Sequence, residues 1–297
     1  MTIRNFAERC IRWCHEEVLP RAYRARRRVT QIAFCLVALG LSATLGHSDG
    51  TTYYTTRTGP MSKSYPDGTS IHLNAKTDAL VNVSGPRRTL FLGDGEVQLD
   101  IKHGKSVPMD VIIGNVILRD LGTQFDVRKH DNVVLVSVTD GRVQVLEARP
   151  DGTRVNPINA TQPDPGRDPA YLGAGSLARF ELRDGTLLMT QETNNLDEAR
   201  NRTSWLSGTL LANKEPLDEI TWQLNDRSQI KLITDPAVAQ RTYGGSFRLD
   251  DMDQFLRTAR DGLDLEAVPV RDPDQSSTPT YLLRPAPHST THPKHHP

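Results

Sequence analysis

The chain has 297 residues, with 36 basic and 36 acidic side chains and a formal net charge of zero, a length suited to about two domains of roughly 100–200 residues each. Charge neutrality argues against nucleic acid as a direct partner, because phosphate binding needs a basic surface. The cysteines are Cys10, Cys14 and Cys35, all near the start, which excludes a disulfide framework for the main body.

Residues 1–28 carry eight arginines against three glutamates. Ile3, Phe6, Ala7, Cys10, Cys14 and Val18 recur at helical spacing, and Pro20 ends the run. That pattern predicts a short amphipathic helix with one apolar stripe. A helix of this length is marginal in water and needs a surface to lie against. Anionic lipid is the plain choice, with the arginines at the headgroups. Cys10, Cys14 and His15 also suggest zinc, but a structural site needs four protein ligands, so the two cysteines are read as part of the apolar stripe. No metal and no cofactor is expected.

Val29 to Gly46 contains no charged residue. Eighteen such positions lie at the short end of the roughly 17–25 needed to span a bilayer. A signal anchor, a cleaved signal peptide and a buried helix are the three readings. The long basic flank, with Arg21, Arg24, Arg26, Arg27 and Arg28 before the segment and Asp49 after it, favours a transmembrane helix over 29–46. The same flank places the N-terminus in the cytoplasm and the C-terminus in the periplasm.

Residues 53–190 read as an exported, mainly β domain. Ile71/Leu73, Leu90/Leu92, Val97/Leu99/Ile101, Phe125/Val127, Val134/Val136/Val138 and Val143/Val145 recur at every second position, which turns one face of each strand to a core. Asp67-Gly68, Gly93-Asp94-Gly95 and Asp140-Gly141 supply the positive-φ positions of tight hairpins. Residues 149–172 hold five prolines and are expected to form a loop. Leu177 to Thr190 closes the domain, and Asn194 to Thr203 is a polar connector.

Residues 205–270 change character to a small α+β domain. Strands at 208–212, 229–234, 242–249 and 265–270 alternate with helical patterns led by Leu217, Ile220 and Leu224, and by Met252, Phe255, Leu256, Ala259 and Leu263. The order is a βαβ unit repeated. Trp205, Phe247 and Phe255 are read as core. Residues 271–297, with six prolines and four histidines in the last ten positions, read as a disordered tail whose histidines are incidental. Asp94, Glu96 and Asp100 sit in and after a turn, where solvated carboxylates are expected, and His72, His103 and His130 stand alone. With no nucleophile triad, P-loop or dinucleotide fingerprint in the sequence, the chain is read as a non-enzyme.

The runs Ser62–Asn74, Arg87–Ile101, Val116–Arg128 and Val134–Val145 resemble the periplasmic domain of the FecR family, most specifically at Leu121-Gly122-Thr123-x-Phe125-Asp126-Val127. Trp205-x-x-Gly208, Pro216-Leu217-x-Glu219 and Gly245-x-Phe247 resemble that family's C-terminal region, itself similar to the short βαβ-repeat domain of secretins and TonB-dependent receptors. The resemblance implies a single-pass inner-membrane regulator of an extracytoplasmic-function sigma factor. Its exported part would sense the signalling domain of a ligand-loaded outer-membrane receptor. Its cytoplasmic part would hold or help activate the sigma factor, switching on uptake genes, often for iron, with stepwise proteolysis as the usual relay.

The 28 residues before the membrane segment are fewer than the family's cytoplasmic helical domain. A reduced domain, an upstream start codon and lost sigma control all fit that departure. In a reduced domain, Phe6, Cys10 and Cys14 would enter a groove on the sigma factor. The receptor's domain would add a strand at residues 208–212 or 242–248, touching Leu210, Leu211, Gly245, Ser246 and Phe247. The reading from a different class is an exported, membrane-anchored β protein that binds a ligand or serves structurally, with no sigma partner.

Overall fold

The computed structural model describes residues 51–84, 87–102, 107–120, 122–148, 154–155, 171–183, 186–271 and 278–287. The basic helix with Phe6, Cys10 and Cys14, the 29–46 segment, Leu121, most of the 149–172 loop and the last ten residues lie outside them. No helix among the described residues is long and apolar enough to cross a membrane. The chain divides into two compact units, one through Ala199 and one from Arg200.

The first unit is built from two sheets. One runs in the order β1 (Thr51–Thr55), β4 (Asp78–Asn82), β5 (Arg88–Leu92), β7 (Met109–Ile113), β8 (Val116–Asp120) and β11 (Arg142–Ala148), with β12 (Arg154–Val155) and β13 (Tyr171–Gly173) both on β11. The other runs β15 (Thr186–Asn194), β14 (Ser176–Arg183), β10 (Val133–Asp140), β9 (Gln124–His130), β6 (Gly95–Asp100), β3 (Ser70–Leu73) and β2 (Met61–Ser64). Neighbours are antiparallel, with a parallel β5–β7 pair. Ile71, Val97, Leu99, Phe125, Val127, Val134 and Val136 from one sheet join Val81, Leu90, Val111, Leu118, Val143 and Val145 from the other in one apolar cluster. The unit is therefore a sandwich, as the period-2 alternation requires.

The turns do something other than expected. Asp67-Gly68 does join a hairpin, since β2 pairs β3. Gly93–Gly95 and Asp140-Gly141 instead carry the chain from one sheet to the other, because β5 and β6, and β10 and β11, belong to different sheets. At Gly141, φ is 76°, and a Cβ would run into the Gly122 carbonyl and Thr123 Cα of the neighbouring corner. Two-residue hairpins sit at Gly114-Asn115 and Asp131-Asn132, where Ile113 pairs Val116 and His130 pairs Val133.

The expected polar connector holds a helix, α1 (Leu196–Arg202), capped by the Asn195 side chain, which accepts from the Asp197 and Glu198 N–H groups at 3.1 and 3.2 Å. Its Asn cap followed by acidic residues is a helix-start signal.

The second unit follows as β16 (Thr209–Pro216), α2 (Leu217–Arg227), β17 (Lys231–Thr234), α3 (Pro236–Ala239), β18 (Thr242–Arg248), α4 (Met252–Gly262), β19 (Leu265–Val270) and β20 (Thr280–Pro285). Asp235 and Asp251 cap α3 and α4, accepting from Ala237 N–H and Gln254 N–H at 2.8 Å. The strand–helix alternation is present, but it builds two sheets. β16 pairs β18, while β17, β20 and β19 form a second sheet with β20 in the middle. The expected tail at 271–297 is thus corrected over residues 280–285, where β20 pairs parallel to β17 and antiparallel to β19. Leu283 is fully buried in the core with Trp205, Leu217, Ile220, Leu224, Phe255 and Leu265.

Candidate functional site

The candidate residues that fall in the described structure lie on the two-stranded ribbon of β16 and β18. Leu210 opposes Phe247, Leu211 opposes Ser246, and Ala212 opposes Gly245. The strand alternation sorts them. Leu210, Ala212 and Phe247 face the core, whereas Leu211 is 38% exposed and Gly245 and Ser246 are exposed. Phe247 is only 6% exposed and packs edge-to-face on Phe255, with ring centroids 5.5 Å apart. Its side chain holds the ribbon to α4 and is not available as a contact. Phe6, Cys10 and Cys14 lie outside the described residues.

Backbone direction separates the two strands further. The Leu249 N–H bonds the Gly208 carbonyl at 2.9 Å, on the β16 side. The Leu211 N–H points the other way and bonds Ser204 Oγ at 3.2 Å. Since backbone groups alternate between the two sides of a strand, Leu210, Ala212, Gly245 and Phe247 face into the ribbon. Leu211 faces outward from β16, and Gly244 and Ser246 face outward from β18.

The outer side of β16 is occupied. The 3-10 turn Ser204–Ser207 lies against it, closed by Gly208 at φ 77°, and it is anchored by the buried Trp205. The Arg227 guanidinium donates to the Trp205 carbonyl at 2.9 Å and stacks 5.8 Å from the indole centroid. Beneath the ribbon, the buried Glu215 accepts from Arg202 at 2.5 Å and from Gln223 at 3.0 Å. At the exposed end of β18, Arg248 grips Asp250 through two bonds of 3.1 and 3.0 Å. That grip holds the Asp250 carboxyl below, and the Arg248 guanidinium above, their ordinary values. Sequence reasoning missed Ser204, whose role depends on a turn seven residues away, and Gly244, whose neighbour drew attention only as part of a motif.

In the first unit, the carboxylates expected to be solvated divide. Asp94 pairs Lys129 at the surface, and Asp100 pairs Lys102 at 3.3 Å. Glu96 is buried, directly opposite Arg128 in the β6–β9 register and 3.3 Å from it. It also accepts from the Asn74 amide at 2.5 Å. This is structural charge pairing within the first unit. Among the described residues, no group of three or more His, Cys, Asp or Glu side chains converges as a metal site.

Residues 51–144 match the FecR protein family. Two crystal structures of a candidate anti-sigma factor from Parabacteroides distasonis ATCC 8503, at 1.65 and 2.50 Å resolution, share the fold. Each superposes with a TM-score of 0.60 and 19% identity, over 80% of this chain and all of the other. No curated protein matches the sequence.

Proposed function

We propose that this chain, whose residues 51–144 match the FecR protein family, is a membrane-anchored regulator of an extracytoplasmic-function sigma factor. The observation that carries the reading is the FecR match itself, which covers the sandwich from β1 into β11. The likeness in fold to a candidate anti-sigma factor extends across 80% of the chain. In this reading residues 29–46 cross the inner membrane, with residues 1–28 in the cytoplasm and everything after them in the periplasm. The β16–β18 ribbon, through the exposed Leu211, Gly245 and Ser246, docks the signalling domain of an outer-membrane TonB-dependent receptor, while Leu210 and Phe247 hold the ribbon to the core. Phe6, Cys10 and Cys14 form the stripe that meets the sigma factor. The output is transcription of uptake genes such as those for iron, reached by protein contacts and without chemistry on a small molecule.

The test is affinity capture of the full-length protein from membranes, with partners identified by mass spectrometry. Recovery of a sigma factor that disappears on deleting residues 1–28, or on Phe6→Asp, supports the proposal. Recovery of a receptor without a sigma factor restricts the protein to the exported half of the relay. Recovery of neither makes it an exported, membrane-anchored β protein with another ligand.

A further inference from the structure

The second unit has four strands at sheet edges, and unpaired edges invite uncontrolled strand addition unless something blunts them. Three carry a visible block. On β16, Ser204 takes up the outward Leu211 N–H. On β17, the Asn225 side-chain amide takes both outward groups of Leu232, accepting from its N–H at 2.7 Å and donating to its carbonyl at 2.8 Å. On β19, Pro269 removes a donor from the outer side, the position where an edge strand tolerates proline.

β18 has no third strand among the described residues. By the same alternation its outward backbone groups belong to Thr242, Gly244, Ser246 and Arg248, and at the middle two the side chains are too small to screen them. An edge protected on three strands and bare on the fourth is an edge kept for pairing. The segment Thr242–Arg248 is also self-complementary about Gly245. Laid antiparallel on a second copy, Gly244 falls opposite Ser246, which brings outward groups against outward groups. Tyr243 falls opposite Phe247 on the inner face, and Thr242 falls opposite Arg248. No like charges meet across the strands.

We infer that two copies of this chain pair through β18, joining their ribbons into one four-stranded antiparallel sheet in the order β16-β18-β18-β16. The contact is isologous, as a two-fold dimer requires. A single strand pair is a small interface, and anchoring both chains in one membrane raises the effective concentration that sustains it. The inference shares its edge with the receptor contact proposed above, so a second copy and a receptor strand exclude one another there.

The experiment is the molar mass of the full-length protein in detergent, by light scattering, for wild type, Ser246→Pro and Gly244→Lys. Proline at 246 removes an outward N–H and leaves the β16–β18 ladder bonds in place. Lysine at 244 meets open space, because a Cβ there has no neighbour nearer than 3.8 Å, and it sets like charges across the dimer axis. The expected result is two chains for wild type and one for both variants, or dimerisation weakened at least tenfold. Should Ser246→Pro disturb the fold, seen as altered near-ultraviolet circular dichroism, Gly244→Lys decides. A monomeric wild type overturns the inference, and so do variants that remain dimeric. Variants that stay dimeric yet lose receptor capture refute self-pairing alone. A wild type that dimerises through β18 and captures no receptor refutes the receptor contact alone.

Discussion

Glu96 and Arg128 are opposite each other in the centre of the first unit, each side chain no more than 6% exposed. Replacing Glu96 with alanine removes the carboxylate that faces the buried Arg128 guanidinium and accepts from the Asn74 amide. Breaking a buried pair from one side costs about 3–5 kcal/mol, because the surviving charge keeps its desolvation penalty. For a domain of this size each kcal/mol moves the melting temperature by roughly 2–4 °C, so the first unit should melt roughly 6–20 °C lower. The double variant Glu96→Leu/Arg128→Met removes both charges together and should recover most of the loss, since apolar replacement of a whole buried pair is commonly neutral or stabilising. Differential scanning calorimetry reads the first unit's transition for the two single variants and the double, closing a cycle. A Glu96→Ala loss under about 1 kcal/mol, the range of exposed pairs, would refute the assignment of this pair as a buried one.

Asn225→Ala frees both outward groups of Leu232, and leaving buried polar groups unsatisfied should cost the second unit about 1–3 kcal/mol in urea unfolding, with increased aggregation by light scattering. Gly141→Ala, at φ 76° and against the Gly122–Thr123 corner, should lose more than the roughly 1–2 kcal/mol of a left-handed backbone alone, read as a lowered midpoint for the first unit. Burial alone would push the Asp67 carboxyl up, but the Thr69 N–H and hydroxyl and the Arg88 guanidinium hold it below its ordinary value of 3.8. A depressed folded value means that the stabilisation is full above that ordinary value and drains away as pH falls through the lower folded one. Asp67→Asn should therefore destabilise at pH 7 and match wild type near pH 2, and a difference that persists in acid would contradict this.

The sandwich was legible because its strands alternate cleanly. Val134, Val136 and Val138 face one core while Val133, Leu135 and Thr139 take the half-buried side, the period 2 of a strand. The corners were not legible. Asp140-Gly141 has the composition of a hairpin turn, and only the partners of β10 and β11 reveal that it crosses between sheets. Glu96 looked solvated because it follows Gly95, yet its environment is set by Arg128, 32 residues away in sequence. The ribbon was found through Gly245-x-Phe247, but which of its edges is open depends on Ser204, which takes up the outward Leu211 N–H of β16. β20 escaped notice because its few apolar residues lie among prolines, and one of its pairing partners, β17, lies far back in the sequence.

That last strand governs the order in which the second unit can assemble. β17 and β19 never touch each other as a pair and are joined only through β20, which arrives about fifty residues after β17 begins. A chain emerging from its amino end can form the β16–β18 ribbon as soon as Arg248 is made, before β19 and β20 exist. It must then wait for residues 280–285 before the other sheet exists, with β17 and β19 exposed as separate unpaired strands in the interval. Long-range closure of this kind slows folding. It also makes the carboxyl end a drawstring: cutting between β19 and β20 leaves the sheet whole only while the cut strand stays in place, and pulling it out opens both neighbours at once.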